Sequence, residues 1–253
     1  MAGEGSPVVL LHPGQGGLVL WGRQFPVFAR SHRVIRYDAR GFGRSEKPPV
    51  PFTHYDDLRA VLDAVGVERA ALVGLSLGGR TILDFALAHP QRVASMVLVN
   101  PGMSGHTFTG LDAYFAEIKM ATEREDLDAF VEIQLRIWFD GPSRTPGQVD
   151  HTVRDEVKSV LTEQAERNRR RAGRAEVGEL GAAARLAEIT TPTLIVSSAL
   201  DQPDALTICA LLERGIRGAR RVTISGAAHL VNLERPDAFN AAVLPFLAEA
   251  AHS

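Results

Sequence analysis

The chain has 253 residues, of which 45% are hydrophobic, a size and composition typical of a single globular domain. Its 28 Lys and Arg residues and 30 Asp and Glu residues give a net charge of −2 at pH 7. This balance argues against a nucleic-acid-binding protein, because such proteins usually carry a basic excess.

Cys209 is the only cysteine, so the chain can form neither an intramolecular disulfide nor a cysteine metal cluster. The N-terminus carries no basic or apolar leader, and no apolar run approaches the roughly 18 residues of a membrane helix. We therefore expect a cytoplasmic protein that needs no metal and no cofactor and binds neither nucleic acid nor membrane.

Short apolar runs alternate with amphipathic stretches in the N-terminal part, which is the pattern of βαβ units. The runs are apolar at consecutive positions, which favours strands covered on both faces in a parallel sheet. We predict strands over 8–11, 33–37, 70–74 and 93–99, and helices over 20–29, 56–65 and 77–89.

Strand-like runs disappear between residues 104 and 186, where the sequence becomes helical and charged. We interpret this stretch as a helical insertion between two core parts, 1–103 and 187–253. Strand runs return at 192–198 and 221–225, and a last helix is predicted over 236–250. Pro245 lies inside that helix and deletes a backbone hydrogen bond, so we expect the helix to kink or restart there.

The most informative segment is the pattern Gly74-x-Ser76-x-Gly78, where a predicted strand meets a predicted helix. A serine on such a tight turn has a strained backbone, and small neighbours let the strand and the helix approach each other. Ser76 is the predicted nucleophile, and a glycine-rich packing turn is the alternative.

A serine hydroxyl needs a base, and His229 is the predicted one. It lies in a loop of small residues after the last predicted strand, at the sheet edge where Ser76 is also expected. His12 also follows a strand, but it precedes a glycine turn that it is more suited to shape. For the acid that orients His229, we favour Asp201, directly after a strand, over Asp204, which already suits the start of a helix.

The backbone N–H groups of Leu77 and of the turn around Gly14 or Gln15 are the expected oxyanion donors. The side chains of Trp138 and Phe139, together with Phe108, Tyr114 and Phe115, can either line an apolar substrate pocket or pack within the insertion. Similarly, the arginines of 167–174 can attract a substrate carboxylate, although interleaved glutamates favour a solvated helix face.

With Ser76, Asp201 and His229 in this order, the chain resembles the α/β-hydrolase family. Its His12-Pro-Gly segment resembles the family's His-Gly oxyanion loop, and residues 36–45 resemble the family's Asp-x-Arg-Gly-x-Gly-x-Ser loop. The resemblance implies a mostly parallel sheet flanked by helices, with 104–186 as the lid. Within the family, the chain looks like small cofactor-free members such as enol-lactone hydrolases, carboxylesterases and non-haem haloperoxidases.

Two features depart from the family pattern. Pro13 replaces a glycine, which removes an N–H beside the expected oxyanion loop. The usual N-terminal β-hairpin is missing, so the sheet is smaller or the start is truncated. Strand 33–37 then lies at an edge that another element or a second subunit should cover, in a monomer or a homodimer.

The resemblance and the residues together predict a serine hydrolase that cleaves a carboxylic ester or a lactone through an acyl-enzyme, with that small molecule as its partner. Ser76 would attack the carbonyl, His229 would take the proton, and Asp201 would hold the imidazole. Two alternatives remain at this stage: a lyase or tailoring enzyme that uses the same residues as acid and base, and a small-molecule-binding protein on the same fold.

Overall fold

A computed structural model of the protein describes residues 1–46, 50–170 and 176–250. Within these residues, six strands form one sheet in the order β2-β1-β3-β4-β5-β6, and every neighbouring pair is parallel. The strands are β1 (Pro7–Leu11), β2 (Arg33–Arg36), β3 (Ala70–Leu75), β4 (Val93–Val99), β5 (Thr193–Ser198) and β6 (Arg220–Ile224). The predicted α/β class with a parallel sheet is confirmed.

Helices connect the strands and cover the sheet. They are α1 (Gln24–Phe28), α2 (His54–Ala64), α3 (Leu77–Ala88), α4 (Asp112–Glu123), α5 (Leu127–Leu135), α6 (His151–Arg170), α7 (Pro203–Gly215), α8 (Val231–Glu234) and α9 (Pro236–Ala250). Among the helices of the described residues, none is both long enough and apolar enough to cross a bilayer.

The core lies on both faces of the sheet because side chains alternate along each strand. Val8 and Leu10 of β1 pack in a cluster with α1, α5, α6 and α9, whereas Val9 and Leu11 pack in a second cluster with α2, α3 and α7. Covering both faces explains why the strand sequences are continuously apolar.

Strand β2 lies at one edge of the sheet, and the N-terminal segment covers part of it. Ala2 and Val34 form an antiparallel bridge, with N···O distances of 3.1 and 2.8 Å. The edge that the sequence predicted is therefore present, and its partner at this position is a segment of the same chain.

The described residues between β4 and β5 are mainly helical. Helices α4 and α5 pack around a small cluster that includes Leu111, Ile133 and Ile137, while Val131 and Leu135 of α5 join the main core. This stretch is thus anchored on the sheet by its own apolar side chains. The boundaries 104 and 186 of the predicted insertion stay a prediction.

One helix prediction needs correction, and the prediction for Pro245 is decided only in part. The predicted helix 20–29 is split into a 3₁₀ turn, Leu18–Trp21, and the short helix α1, because Pro26 has no N–H to donate to the carbonyl of Gly22, four residues earlier. Helix α9 runs through Pro245 without a restart, while a kink at this residue stays a prediction. Pro245 is exposed while Val243 and Phe246 are buried, so the missing hydrogen bond lies on the solvent side and core packing keeps the helix continuous.

Candidate active site

The carboxyl ends of the parallel strands bring the predicted site residues to one edge of the sheet. Ser76 directly follows β3, Asp201 follows β5, and His229 follows β6. The loop with Gly14 follows β1, next to β3 in the sheet. In an open α/β sheet this edge is where ligands usually bind.

Ser76 has the strained backbone that its sequence context predicts. Its φ is 52° and its ψ is −110°, an unusual conformation for a residue other than glycine. The backbone N–H of Ser76 donates to the carbonyl of Val99 (3.0 Å), and its carbonyl accepts from the N–H groups of Arg80 and Gly102 (both 3.0 Å). These bonds to β4, α3 and the loop after β4 hold the turn in place.

The glycines around Ser76 are required by close backbone packing. A Cβ atom at Gly74 would lie 2.4 Å from the carbonyl carbon of Gly78, and one at Gly78 would lie 2.3 Å from the carbonyl oxygen of Leu11. Any larger residue would therefore push strand β3, helix α3 and strand β1 apart.

Asp201 and His229 form a buried pair. Oδ2 of Asp201 lies 2.8 Å from Nδ1 of His229, and the two residues are only 3% and 1% exposed. The other carboxylate oxygen of Asp201 accepts from the N–H of Gln202 (2.7 Å), whose side chain donates to the carbonyl of Ile137 (2.9 Å). Asp204, the competing candidate, instead accepts hydrogen bonds from the backbone and the hydroxyl of Thr109.

The outer nitrogen of His229, Nε2, is buried and has no hydrogen-bond partner in the part of the chain that the structure describes. The structure therefore contains no Ser76–His229 hydrogen bond. The ring of Trp138 lies beside the imidazole, with centroids 4.7 Å apart at an angle of 45°, and Phe108 in turn meets Trp138 edge to face. Trp138 lies in a π-helical turn, Arg136–Asp140, that continues α5.

Asn100 holds the loop that carries His229, a role that the sequence did not predict. Its side chain donates to the carbonyl of His229 (2.9 Å) and to the hydroxyl of Ser198 (2.7 Å), and it accepts from the N–H of Ser198 (2.9 Å). It thereby joins the ends of β4 and β5 to the histidine loop. A polar residue directly after an apolar strand was the signal available in the sequence.

A second missed contact joins the histidine loop to the residues after α5. Glu234 accepts from the N–H of Ala228 (2.7 Å) and pairs with Arg144 (2.7 Å). Arg144 also donates to the carbonyls of Phe139 and Asp140. The loop before His229 and the turn that carries Trp138 are therefore held to one buried ion pair.

His12 contacts the loops after both β1 and β2, of which only the first was predicted. Its Nδ1 is 2.8 Å from the carbonyl of Pro13, and its Nε2 accepts from the N–H of Ala39 (2.9 Å). Because a carbonyl can only accept, the proton is assigned to Nδ1 and the ring is neutral. Burial lowers the pKa of His12, which favours this neutral form.

The two backbone groups predicted for an oxyanion hole occupy suitable elements. Leu77 begins α3, where the first N–H groups have no partner inside the helix. Gly14 is exposed in the loop after β1, and the space where its Cβ would be is open within 4 Å. Their role as oxyanion donors stays a prediction.

A cavity of about 920 Å³ borders this site through Leu77. Its wall includes the aromatic residues Phe42, Phe52 and Phe130, the cationic residues Arg40, Arg80 and Arg169, and the acidic residues Glu125 and Asp126. Neither predicted pocket residue is in this wall. Phe139 is fully buried in the main core, where the packing alternative accounts for it, and Trp138 contacts His229 instead.

The arginine cluster of 167–174 is only partly described. Arg167 pairs with Glu163 (2.5 Å) and Arg169 with Glu125 (2.7 Å), while residues 171–174 lie outside the described residues. Arg167 thus fits the predicted solvated helix face, whereas Arg169 also reaches the cavity wall. Within the described ranges, no three His, Cys, Asp or Glu residues are grouped so that they could hold a metal ion.

The family model for proteins of the alpha/beta hydrolase fold matches residues 6–236 of this chain. A 2-hydroxy-6-oxo-6-phenylhexa-2,4-dienoate hydrolase of Comamonas testosteroni is 29% identical over 270 aligned positions, covering 97% of this chain and 89% of that protein. A solved hydrolase of Pseudomonas aeruginosa PA01 is 32% identical with a TM-score of 0.78, covering 97% and 91% of the two chains. The enol-lactonase from Burkholderia xenovorans LB400 is 25% identical with a TM-score of 0.78, covering 97% and 92%.

Proposed function

The chain belongs to the α/β-hydrolase family, and we propose that it is a serine hydrolase that cleaves a carboxylic ester or a lactone through an acyl-enzyme. One observation carries this proposal: the buried Asp201–His229 pair leaves Nε2 of the imidazole uncommitted at the same sheet edge as Ser76. A strained serine, a histidine base and a carboxylate that orients the base are the parts that nucleophilic acyl transfer needs.

In the proposed reaction, the hydroxyl of Ser76 attacks the substrate carbonyl while Nε2 of His229 takes its proton. Asp201 holds the proton on Nδ1 and stabilises the imidazolium that forms. The N–H groups of Leu77 and Gly14 donate to the oxyanion of the tetrahedral intermediate. The imidazolium then protonates the leaving alcohol, and a water molecule, activated by the same histidine, releases the acid.

The relatives support hydrolysis in general, and one of them supports a lactone as the substrate. One similar solved structure is an enol-lactonase, and a similar curated protein is a dienoate hydrolase. A serine rather than a carboxylate at the nucleophile position supports acyl transfer rather than attack on an alkyl carbon.

The experiment combines covalent labelling with turnover. A fluorophosphonate should modify Ser76, located by mass spectrometry of the peptides. A panel of p-nitrophenyl esters should give a burst of p-nitrophenol, whereas lactones, whose alcohol stays on the acyl chain, should be turned over without a burst. Ser76→Ala should abolish labelling and lower turnover by about 10⁴- to 10⁶-fold. Ser159→Ala, on the exposed face of α6, is the matched control and should behave like the parent protein.

Each alternative gives a different result. Turnover of the p-nitrophenyl esters without a burst would favour a lyase that uses the same residues as acid and base. Stoichiometric binding with no turnover would favour a binding protein. If Ser76→Ala, shown to be folded by circular dichroism, kept its ester turnover, the proposal would be overturned.

A further inference from the structure

The cavity beside the site is apolar over much of its wall but contains cationic side chains. Phe42, Phe52 and Phe130 supply aromatic surface, while Arg40 and Arg80 supply guanidinium groups. A pocket of this kind suits a small molecule with an apolar body and a few fixed polar groups.

Arg80 is close to the nucleophile along the chain. It lies one helical turn after Ser76, to whose carbonyl its N–H donates, and its side chain runs beside Gly102. The Arg80 side chain is 35% exposed and pairs with Glu179, which is not part of the cavity wall. Because a guanidinium has five N–H donors and a carboxylate can engage only some of them, the pair leaves donors for a ligand.

Arg40, in the loop after β2, also pairs with a carboxylate that lies outside the cavity wall. Its guanidinium pairs with Asp57 of α2 (2.8 Å) and lies 5.6 Å from the ring centre of Phe52. Asp57 is also outside the cavity wall, and the Arg40 side chain is 45% exposed.

The two acidic side chains of the wall have partners other than Arg40 and Arg80. Glu125 pairs with Arg169 (2.7 Å), and Asp126 caps α5 by accepting from the N–H of Ala129 (2.9 Å). No carboxylate of the described cavity wall therefore pairs with the guanidinium group of Arg40 or Arg80.

We propose that the cavity selects an ester or lactone that carries a carboxylate, and that Arg80, with Arg40 as a second donor, binds this anion. The inference rests on the proposed serine hydrolase function and adds its substrate class. A guanidinium binds a carboxylate through two parallel hydrogen bonds, which fixes both charge and orientation. The apolar remainder of the wall would cover the body of the substrate.

The test compares two p-nitrophenyl esters with similar acyl chains, the neutral butyrate and the anionic hemiglutarate. The measured quantity is the ratio of kcat/KM for the anionic ester to kcat/KM for the neutral ester. Arg80→Gln should lower this ratio by roughly tenfold or more, because a charge-assisted hydrogen bond is lost. Arg59→Gln, on α2 and outside the cavity wall, is the matched control and should leave the ratio unchanged.

Glu179→Gln separates an anion site from a structural tie. If Arg80 binds substrate, removing its competing carboxylate should keep or raise the ratio. If Arg80 only anchors Glu179, the two variants should change stability alike and leave the ratio at the parent value. That second outcome, or a fall in the ratio for Glu179→Gln equal to that for Arg80→Gln, would overturn the inference.

Failure of the proposed function would be visible separately, because neither ester would then be hydrolysed. The anion site would still be tested by thermal unfolding with glutarate and with uncharged glutaramide. Glutarate alone should raise the Tm of the parent protein, and this rise should be lost in Arg80→Gln. Equal effects of the two compounds would contradict the anion site.

Discussion

Asp201→Asn should remove most of the turnover while leaving the fold intact. The asparagine oxygen can keep the hydrogen bond from the N–H of Gln202, which is 2.7 Å from the present carboxylate. Its amide group would then donate toward Nδ1 of His229, at the position of the present 2.8 Å contact. The imidazole proton would have to move to Nε2, the atom that must accept the proton of Ser76.

The size of the effect follows from this contact. Charges about 4 Å apart at an effective dielectric of about 20 interact by about 4 kcal/mol, which is roughly 10³-fold in rate if the imidazolium forms in the transition state. The wrong tautomer should bring the total loss in kcat to roughly 10⁴-fold.

Asp204→Asn is the matched control. Asp204 lies three residues further on and accepts from Thr109 rather than from His229. This variant should keep its turnover but lose about 1–3 kcal/mol of unfolding free energy, because its charged acceptor becomes neutral. The assay is steady-state hydrolysis of a p-nitrophenyl ester together with urea unfolding followed by circular dichroism. Equal turnover in the two variants would refute the assignment of Asp201.

Two further predictions concern stability. The contribution of His12 and His32 to the free energy of unfolding should be fully present above pH 6.5 and should fall as the pH drops below it, by up to about 1.4 kcal/mol per pH unit and histidine, because burial lowers the pKa of both side chains in the folded state. Urea titrations between pH 7.5 and 5 check this, and a flat curve would contradict it. Asn100→Ala should lower the free energy of unfolding by about 2–5 kcal/mol, because it leaves buried partners in Ser198 and the His229 loop unpaired. It should also lower kcat. An unchanged urea midpoint would count against this role of Asn100.

The local pattern of the sequence was enough to predict the parallel sheet and the turn at Ser76. Continuous apolar runs need cover on both faces, and that requirement acts within each strand. Gly74 is required by a nearly local contact with Gly78 of the following helix, whereas Gly78 is required by the close approach of Leu11 in strand β1, far earlier in the chain. The predicted strand positions and the strained serine conformation therefore agree with the structure.

The sequence favoured Asp201 over Asp204 only because Asp204 already suits the start of a helix, since both residues follow β5 within a few positions. Only the path of the loop after β6 places His229 against the first of them and leaves Thr109 against the second. For the same reason the support from Asn100 was not foreseen, since its partners are 98 and 129 residues away along the chain.

Sequence alone thus determined the class of fold and predicted the type of chemistry, because continuous apolar runs and tight-turn patterns are encoded over a few neighbouring residues. Tertiary structure decided which acid meets the histidine, that Phe139 belongs to the core while Trp138 reaches His229, and that two arginines distant in sequence share one cavity. These outcomes depend on how segments that are far apart in the sequence meet at the sheet edge. A pattern of a few neighbouring residues cannot predict such contacts.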